Sequence, residues 1–171
     1  MKRAVVAMIA LLLAGCGFQP LYGNNGNAGP GVGATLSAVY VEQIPDRVGY
    51  ELRNDLLDRL DANSDAGEAR YRLKLYLTET EVPVVFQPNT AITRYNYTVT
   101  AHYDLVPKEG TDAVKSGDVT AFAAYNVAAA PFLYATVAAQ RDAKNRAANE
   151  IAERIRTELA VYFRQVAQQT K

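Results

Sequence analysis

The sequence predicts an α/β fold of the α+β kind, a two-layer sandwich in which a four-stranded mixed sheet carries two helices on one face, in the order β-α-β-β-β-α. Three observations predict it. Two stretches place apolar residues at helical spacing: Val48, Leu52, Leu56 and Leu60 in the first, Ile151, Ile155 and Leu159 in the second. Two others alternate with a period of two, Tyr71, Leu73, Leu75 and Leu77 in one and Tyr95, Tyr97, Val99, Ala101, Tyr103 and Leu105 in the next. One apolar stripe per helix and one apolar face per strand are satisfied together by laying both helices on the same side of the sheet, which leaves the far face polar and uncovered.

Each element follows in order. Leu36 to Ile44 is rich in β-branched and aromatic residues and is closed by Pro45, so it reads as the first strand. Asp46 stands where an N-cap belongs, and the helix it opens ends before the turn formers Asn63 to Gly67. The second strand covers Tyr71 to Leu77, and Pro83 and Pro88 bracket a loop. The third covers Thr93 to Leu105, its second face wholly polar with Arg94, Asn96, Thr98, Thr100, His102 and Asp104. Gly117 to Val127 supplies the fourth. The strand-helix-strand connection permits parallel pairing, and the next two are short enough for antiparallel pairs. Pro131 marks the start of one long helix of about 35 residues, well above the globular mean. Its expected buried stripe is Val137, Ala148, Ile151, Ile155, Leu159, Tyr162 and Val166. Lys144 falls in the same arc, and the expectation is a packed stem with its ammonium turned outward.

The amino terminus belongs to export rather than to the fold. Lys2 and Arg3 precede the apolar run Ala4 to Leu13 and the small pair Ala14-Gly15, the three-part pattern of a secretory signal too short to remain as a membrane span. Leu13-Ala14-Gly15-Cys16 resembles the bacterial lipoprotein signal, so 1–15 is the expected leader and Cys16 the expected lipid attachment site. Two or more acyl chains on that cysteine would hold the protein stably at a membrane. Gly17, rather than Asp, follows the Cys, which by the same resemblance implies the outer membrane. Residues 16–34 include the Gly- and Asn-rich run Gly23 to Gly33 and read as a flexible tether. A single domain is expected over 35–171.

Composition excludes several function classes. With 18 Lys and Arg against 18 Asp and Glu the formal charge is zero, unlike a protein that neutralises a nucleic-acid backbone. One Cys and one His rule out a zinc site of the usual ligand set, and no cofactor motif is present. His102 alternates with Thr100 and Asp104 on a polar face and reads as a surface residue. The cations Arg70, Arg72, Lys74 and Arg94 share the polar side of two strands expected to be neighbours. They could bind the phosphates of a glycolipid headgroup, line a solvated face, or touch a partner's wall.

Three segments carry a resemblance. Ala14-Gly15-Cys16-Gly17-Phe18-Gln19-Pro20-Leu21-Tyr22-Gly23, Asp46-Arg47-Val48-Gly49-Tyr50-Glu51-Leu52-Arg53-Asn54 and Ala138-Ala139-Gln140-Arg141-Asp142-Ala143 resemble the lipopolysaccharide-assembly lipoprotein family LptE, in the form typical of alphaproteobacteria. Ile151 to Ile155 and Leu159 to Phe163 fit as well. The resemblance implies a non-enzymatic lipoprotein at the periplasmic face of the outer membrane, with two helices on a four-stranded sheet. It also implies that the protein plugs and helps assemble a large β-barrel translocon, LptD-like, which delivers lipopolysaccharide to the cell surface. Arg72, Lys74 and Arg94 are the candidate contacts to glycolipid or barrel. The rival class is a lipid-anchored periplasmic enzyme or cell-wall-binding module, which would need a concave cluster of acids or His.

Overall fold

The computed structural model describes residues 32–62, 65–86, 92–128 and 133–169. The leader, Cys16 and most of the tether lie outside the described residues. The elements run α1 (Val32–Leu36), β1 (Val39–Val41), α2 (Asp46–Leu60), β2 (Tyr71–Phe86), β3 (Ile92–Pro107), β4 (Lys115–Asn126) and α3 (Leu133–Gln169). The strands form one sheet in the order β1-β2-β3-β4. β1 is parallel to β2, and the other two pairs are antiparallel. Both long helices lie on one face, α2 against β1 and α3 against β3 and β4, and they pack on each other. The predicted two-layer architecture and mixed pairing are therefore present.

Core burial explains the elements. Leu52, Leu56, Ile151, Ile155 and Leu159 from the helices and Leu73, Val99, Ala101, Leu105 and Ala121 from the sheet are fully buried. Gly49 is needed where α2 meets the preceding turn, because a Cβ there would lie 2.6 Å from Ile44 Cγ2. The α2 carboxyl end closes on Asp61 in the left-handed region (φ 51°), with Ala62 N bonding Leu57 O at 3.0 Å.

Several boundaries differ from expectation. Leu36, expected to open the first strand, is buried at the end of the short helix α1 instead, and the first strand shrinks to Val39–Val41, where Val39 and Val41 both face the core. Asp46 is the first residue of α2 with φ 66° rather than its cap; the N-cap is Pro45, and no side chain caps this end. β2 runs through Pro83 instead of ending near Leu77. The hydrogen-bond alternation shows why. Glu42 N bonds Leu73 O at 3.0 Å, so the odd-numbered residues of β2 point away from β3. Pro83 is one of them, and the N–H it lacks is not needed by the β2–β3 ladder.

The long helix also corrects its predicted stripe. At 37 residues it spans about 55 Å and outruns the sheet, so Val137 and Val166 near its two ends are exposed. Ala143, Ala147, Ala152, Ala160 and Phe163 are buried in their place beside the predicted Ala148, Ile151, Ile155 and Leu159. Small residues here let the helix sit close to the sheet.

Candidate functional site

No described residue covers the sheet face opposite the helices. Its rows follow from the register: Lys74 beside Asp104, Tyr76 beside His102, Thr78 beside Thr100 and Thr80 beside Thr98 on β2 and β3. Across β3 and β4, Thr98 faces Phe122, Thr100 faces Thr120 and His102 faces Asp118. The Thr100 and Thr120 hydroxyls bond at 2.9 Å. Phe122 is 71% and Tyr76 60% exposed, so two aromatic rings stand among the polar residues of this surface, which also exposes Val82. Phe122 was legible only by extending the alternation of Val119, Ala121 and Ala123 to its even partners.

The charges on this face form a paired row rather than a cationic cluster. His102 Nδ1 lies 2.9 Å from Asp118 Oδ1, and Nε2 lies 3.6 Å from Asp104 Oδ1. The hydrogen bond that Asp118 accepts from the ring raises the His102 pKa; desolvation, next in size, opposes it, and the charges of Asp118 and Asp104 add to the rise. Ser116 Oγ also donates to Asp104 at 2.5 Å. Arg72 Nη2 donates to Gly110 O at 3.3 Å, and Nη1 lies 3.9 Å from Glu42. Arg72 thus holds the turn after β3, and only Lys74 of this pair is left to face outward.

Arg94 is brought nowhere near them. Arg72 pairs with Val106 and Arg94 with Val85, which puts Arg94 about 40 Å along β3 from Arg72 at roughly 3.3 Å per residue. Arg70 precedes β2 altogether. Strands being neighbours does not make their like-numbered ends neighbours when the pairing is antiparallel.

On the helix side, a second polar group closes the far half of the sheet. Lys144 Nζ lies 2.8 Å from Glu79 Oε2 and 3.5 Å from Glu81 Oε1, and sits 5.0 Å from the centre of the Tyr97 ring. The ammonium therefore turns down onto β2 and β3 rather than outward to solvent, against the sequence expectation. Gln140 Nε2 donates to both Glu81 oxygens at 3.0 and 3.1 Å, and the Tyr125 hydroxyl reaches Glu81 at 3.3 Å. Burial works against the charged form of Lys144, but the hydrogen bond and charge of Glu79, with Glu81, outweigh it and raise its pKa. Burial first, then the Glu79 carboxylate, push the Tyr97 phenol up, so it stays neutral. Beside this group Asp46, Arg47, Glu79, Gln140, Lys144 and Asn145 line a cleft of about 350 Å³. Sequence reasoning passed over Glu79 and Glu81, although they continue the core-facing alternation of Leu73, Leu75 and Leu77 and so signal a partner on the helix above. Among the described residues no three of His, Cys, Asp and Glu gather to hold a metal ion.

A family model described as LptE, lipopolysaccharide-assembly, matches residues 36–159. The chain belongs to the LptE family. It is a lipopolysaccharide-assembly lipoprotein by that membership. A protein of Caulobacter crescentus CB15 assigned as a lipoprotein is 30% identical, with a TM-score of 0.65 over 77% of this chain and 95% of that one. Rare lipoprotein B of Shewanella oneidensis shares the fold at 12% identity, with a TM-score of 0.54 over 75% of this chain and 96% of that one. A minor lipoprotein of Acinetobacter baumannii does so at 14%, with a TM-score of 0.53 over 72% and 89%. No curated protein sequence matches. The segments resembling LptE that fall within the described residues have structural roles here. Val48 and Leu52 are buried, Gly49 admits Ile44, Arg53 Nε donates to Val41 O at 3.2 Å, Gln140 holds Glu81 and Ala143 is buried. No helix among the described residues is long and apolar enough to cross a membrane.

Proposed function

We propose that this LptE-family chain is an outer-membrane lipoprotein, acylated at Cys16 and facing the periplasm, that plugs and helps assemble an LptD-like β-barrel translocon delivering lipopolysaccharide to the cell surface. The observation that supports the reading is the bare sheet face. A domain that buries one side of its sheet under two helices and leaves Phe122, Tyr76 and the Thr rows of the other side in solvent has a surface suited to docking on a wall of strands. Lys74 and Arg94, at opposite ends of that face, are the candidate cations for glycolipid phosphate or barrel contact, and Arg72 contributes through the turn it holds. An enzyme or cell-wall-binding module is disfavoured because the carboxylates grouped under the long helix, Glu79 and Glu81, are already engaged by Lys144, Gln140 and Tyr125.

Two variants test the reading. Cys16→Ala should leave the domain folded but release it to the soluble periplasm; recovery of that variant in the outer membrane of cells lacking the barrel removes the anchor. Lys74→Glu with Arg94→Glu should spare stability to within about 0.5 kcal/mol, since both are surface positions. Loss of lipopolysaccharide binding with barrel association intact assigns the pair to the glycolipid, and loss of barrel association assigns it to docking. If both survive, the two residues are only solvated.

A further inference from the structure

The two long edges of the sheet are finished differently. On β4, Val127 N bonds Thr93 O at 2.9 Å, so every second residue before Val127 faces β3 and Thr120, Phe122 and Ala124 turn their backbone groups to the free edge. There α3 occupies two of the carbonyls. Arg154 Nη1 donates to Thr120 O at 3.1 Å and Arg146 Nη2 to Ala124 O at 3.3 Å. Another strand would need those acceptors, so the edge is closed to growth. On β2 the pairing with β1 stops at Leu73. From Leu77 to Glu81 no described group bonds the outward backbone atoms. Leu77, Glu79 and Glu81 each offer an N–H and a C=O, and Pro83 offers a C=O.

We propose that the free edge of β2 from Leu77 to Pro83 takes an added strand from a partner polypeptide, an extended segment with Lys or Arg on the face turned to the helices and β-branched residues on the other. Both preferences come from cross-strand neighbours. On the outer face the added strand meets Thr78, Thr80 and Val82, which favour β-branched partners. On the helix side it meets Glu79 and Glu81, two carboxylates that share one ammonium, and it meets them at the strand edge rather than in the neighbouring cleft, whose lining also carries Arg47 and Arg141. A second copy of this chain is the poorer occupant. Antiparallel pairing of two β2 edges about a twofold axis would set the Glu79 and Glu81 carboxylates of one copy against those of the other.

Amide hydrogen exchange on the full chain tests this with a synthetic ten-residue peptide that alternates Lys with Val and Thr. With the peptide in excess, exchange at Leu77, Glu79 and Glu81 should slow by about tenfold or more, while the outward amides of Thr120 and Phe122 stay unchanged. A peptide N-methylated on the amides that face β2 should give no protection, and one with Glu in place of Lys should protect less. Unchanged exchange at Leu77, Glu79 and Glu81 overturns the proposal, as does equal protection by the N-methylated peptide. Protection that appears on raising the protein concentration alone, with a doubled mass, would instead make the occupant a second copy.

Discussion

Lys144 Nζ lies 2.8 Å from Glu79 Oε2 and 5.0 Å from the centre of the Tyr97 ring, so one ammonium ties the long helix to two strands at once. Removing it leaves Glu79 and Glu81 facing a buried ring without a cation. Lys144→Ala should therefore cost about 1 kcal/mol, measured by urea unfolding, and Lys144→Arg should retain most of that. The folded-state pKa is raised above the ordinary 10.5, so this contribution is complete below that value and is lost as pH rises through the folded one. A variant whose deficit against the parent stays constant on going well above pH 10.5 would contradict the pairing.

His102 should titrate above its ordinary value of 6.5 because Asp118 holds the imidazolium. Its contribution to stability is complete below that value and fades as pH rises through the raised folded one. NMR titration should place the Asp118→Asn midpoint below that of the parent. Coincident midpoints would show that the hydrogen bond does not persist in solution.

Leu56 and Ile155 both belong to the helix side of the core and expose no surface. Leu56→Asp or Ile155→Asp buries an unpaired carboxylate, and the loss should reach several kcal/mol, a large part of the roughly 5 to 15 kcal/mol that holds a domain together. Normal thermal unfolding of either variant would mean that the wrong faces have been assigned to the core.

Gly117 sits beneath Tyr103, where a Cβ would lie 2.8 Å from the ring. Gly117→Val should cost about 1 to 3 kcal/mol through displacement of that ring. Tyr103→Phe keeps the packing and loses only the bond that the hydroxyl donates to Glu158, worth about 1 kcal/mol. Combining Gly117→Val with Tyr103→Leu should recover part of the first loss, which a chemical denaturation series on the three variants would show.

Periodicity made the layers legible, because burial on one face imposes spacing on the residues that do it. Val48, Leu52, Leu56 and Leu60 lie where their interval of four puts them, and the alternation of Tyr95 to Leu105 marks the face that meets the helices. What local pattern could not carry was pairing between distant segments. Pro83 reads as a strand stop until the open side of β2 is known, and Val137 reads as core until the helix is measured against the sheet. Arg72, Lys74 and Arg94 look like one cluster in a list of polar residues, but the antiparallel register sends Arg94 to the opposite end. Lys144 reads as solvent-facing because the carboxylates that hold it lie 65 and 63 positions earlier in the chain.

Arg146 and Arg154 are eight residues apart on a helix, about 12 Å at 1.5 Å per residue, while Thr120 and Ala124 are four apart on a strand, about 13 Å at 3.3 Å per residue. Two different repeats come into step over that distance, and the pair of guanidinium bonds works as a vernier. A one-residue insertion between Thr120 and Ala124 would swing one of the two carbonyls toward β3 and lengthen its spacing, and one between Arg146 and Arg154 would rotate one arginine by about 100° off the strand. A change of length in the turn between β3 and β4 leaves the match intact. Tolerance to insertions and deletions in this domain is thus distributed by commensurability, so that an exposed stretch of helix is less forgiving than its solvent accessibility suggests.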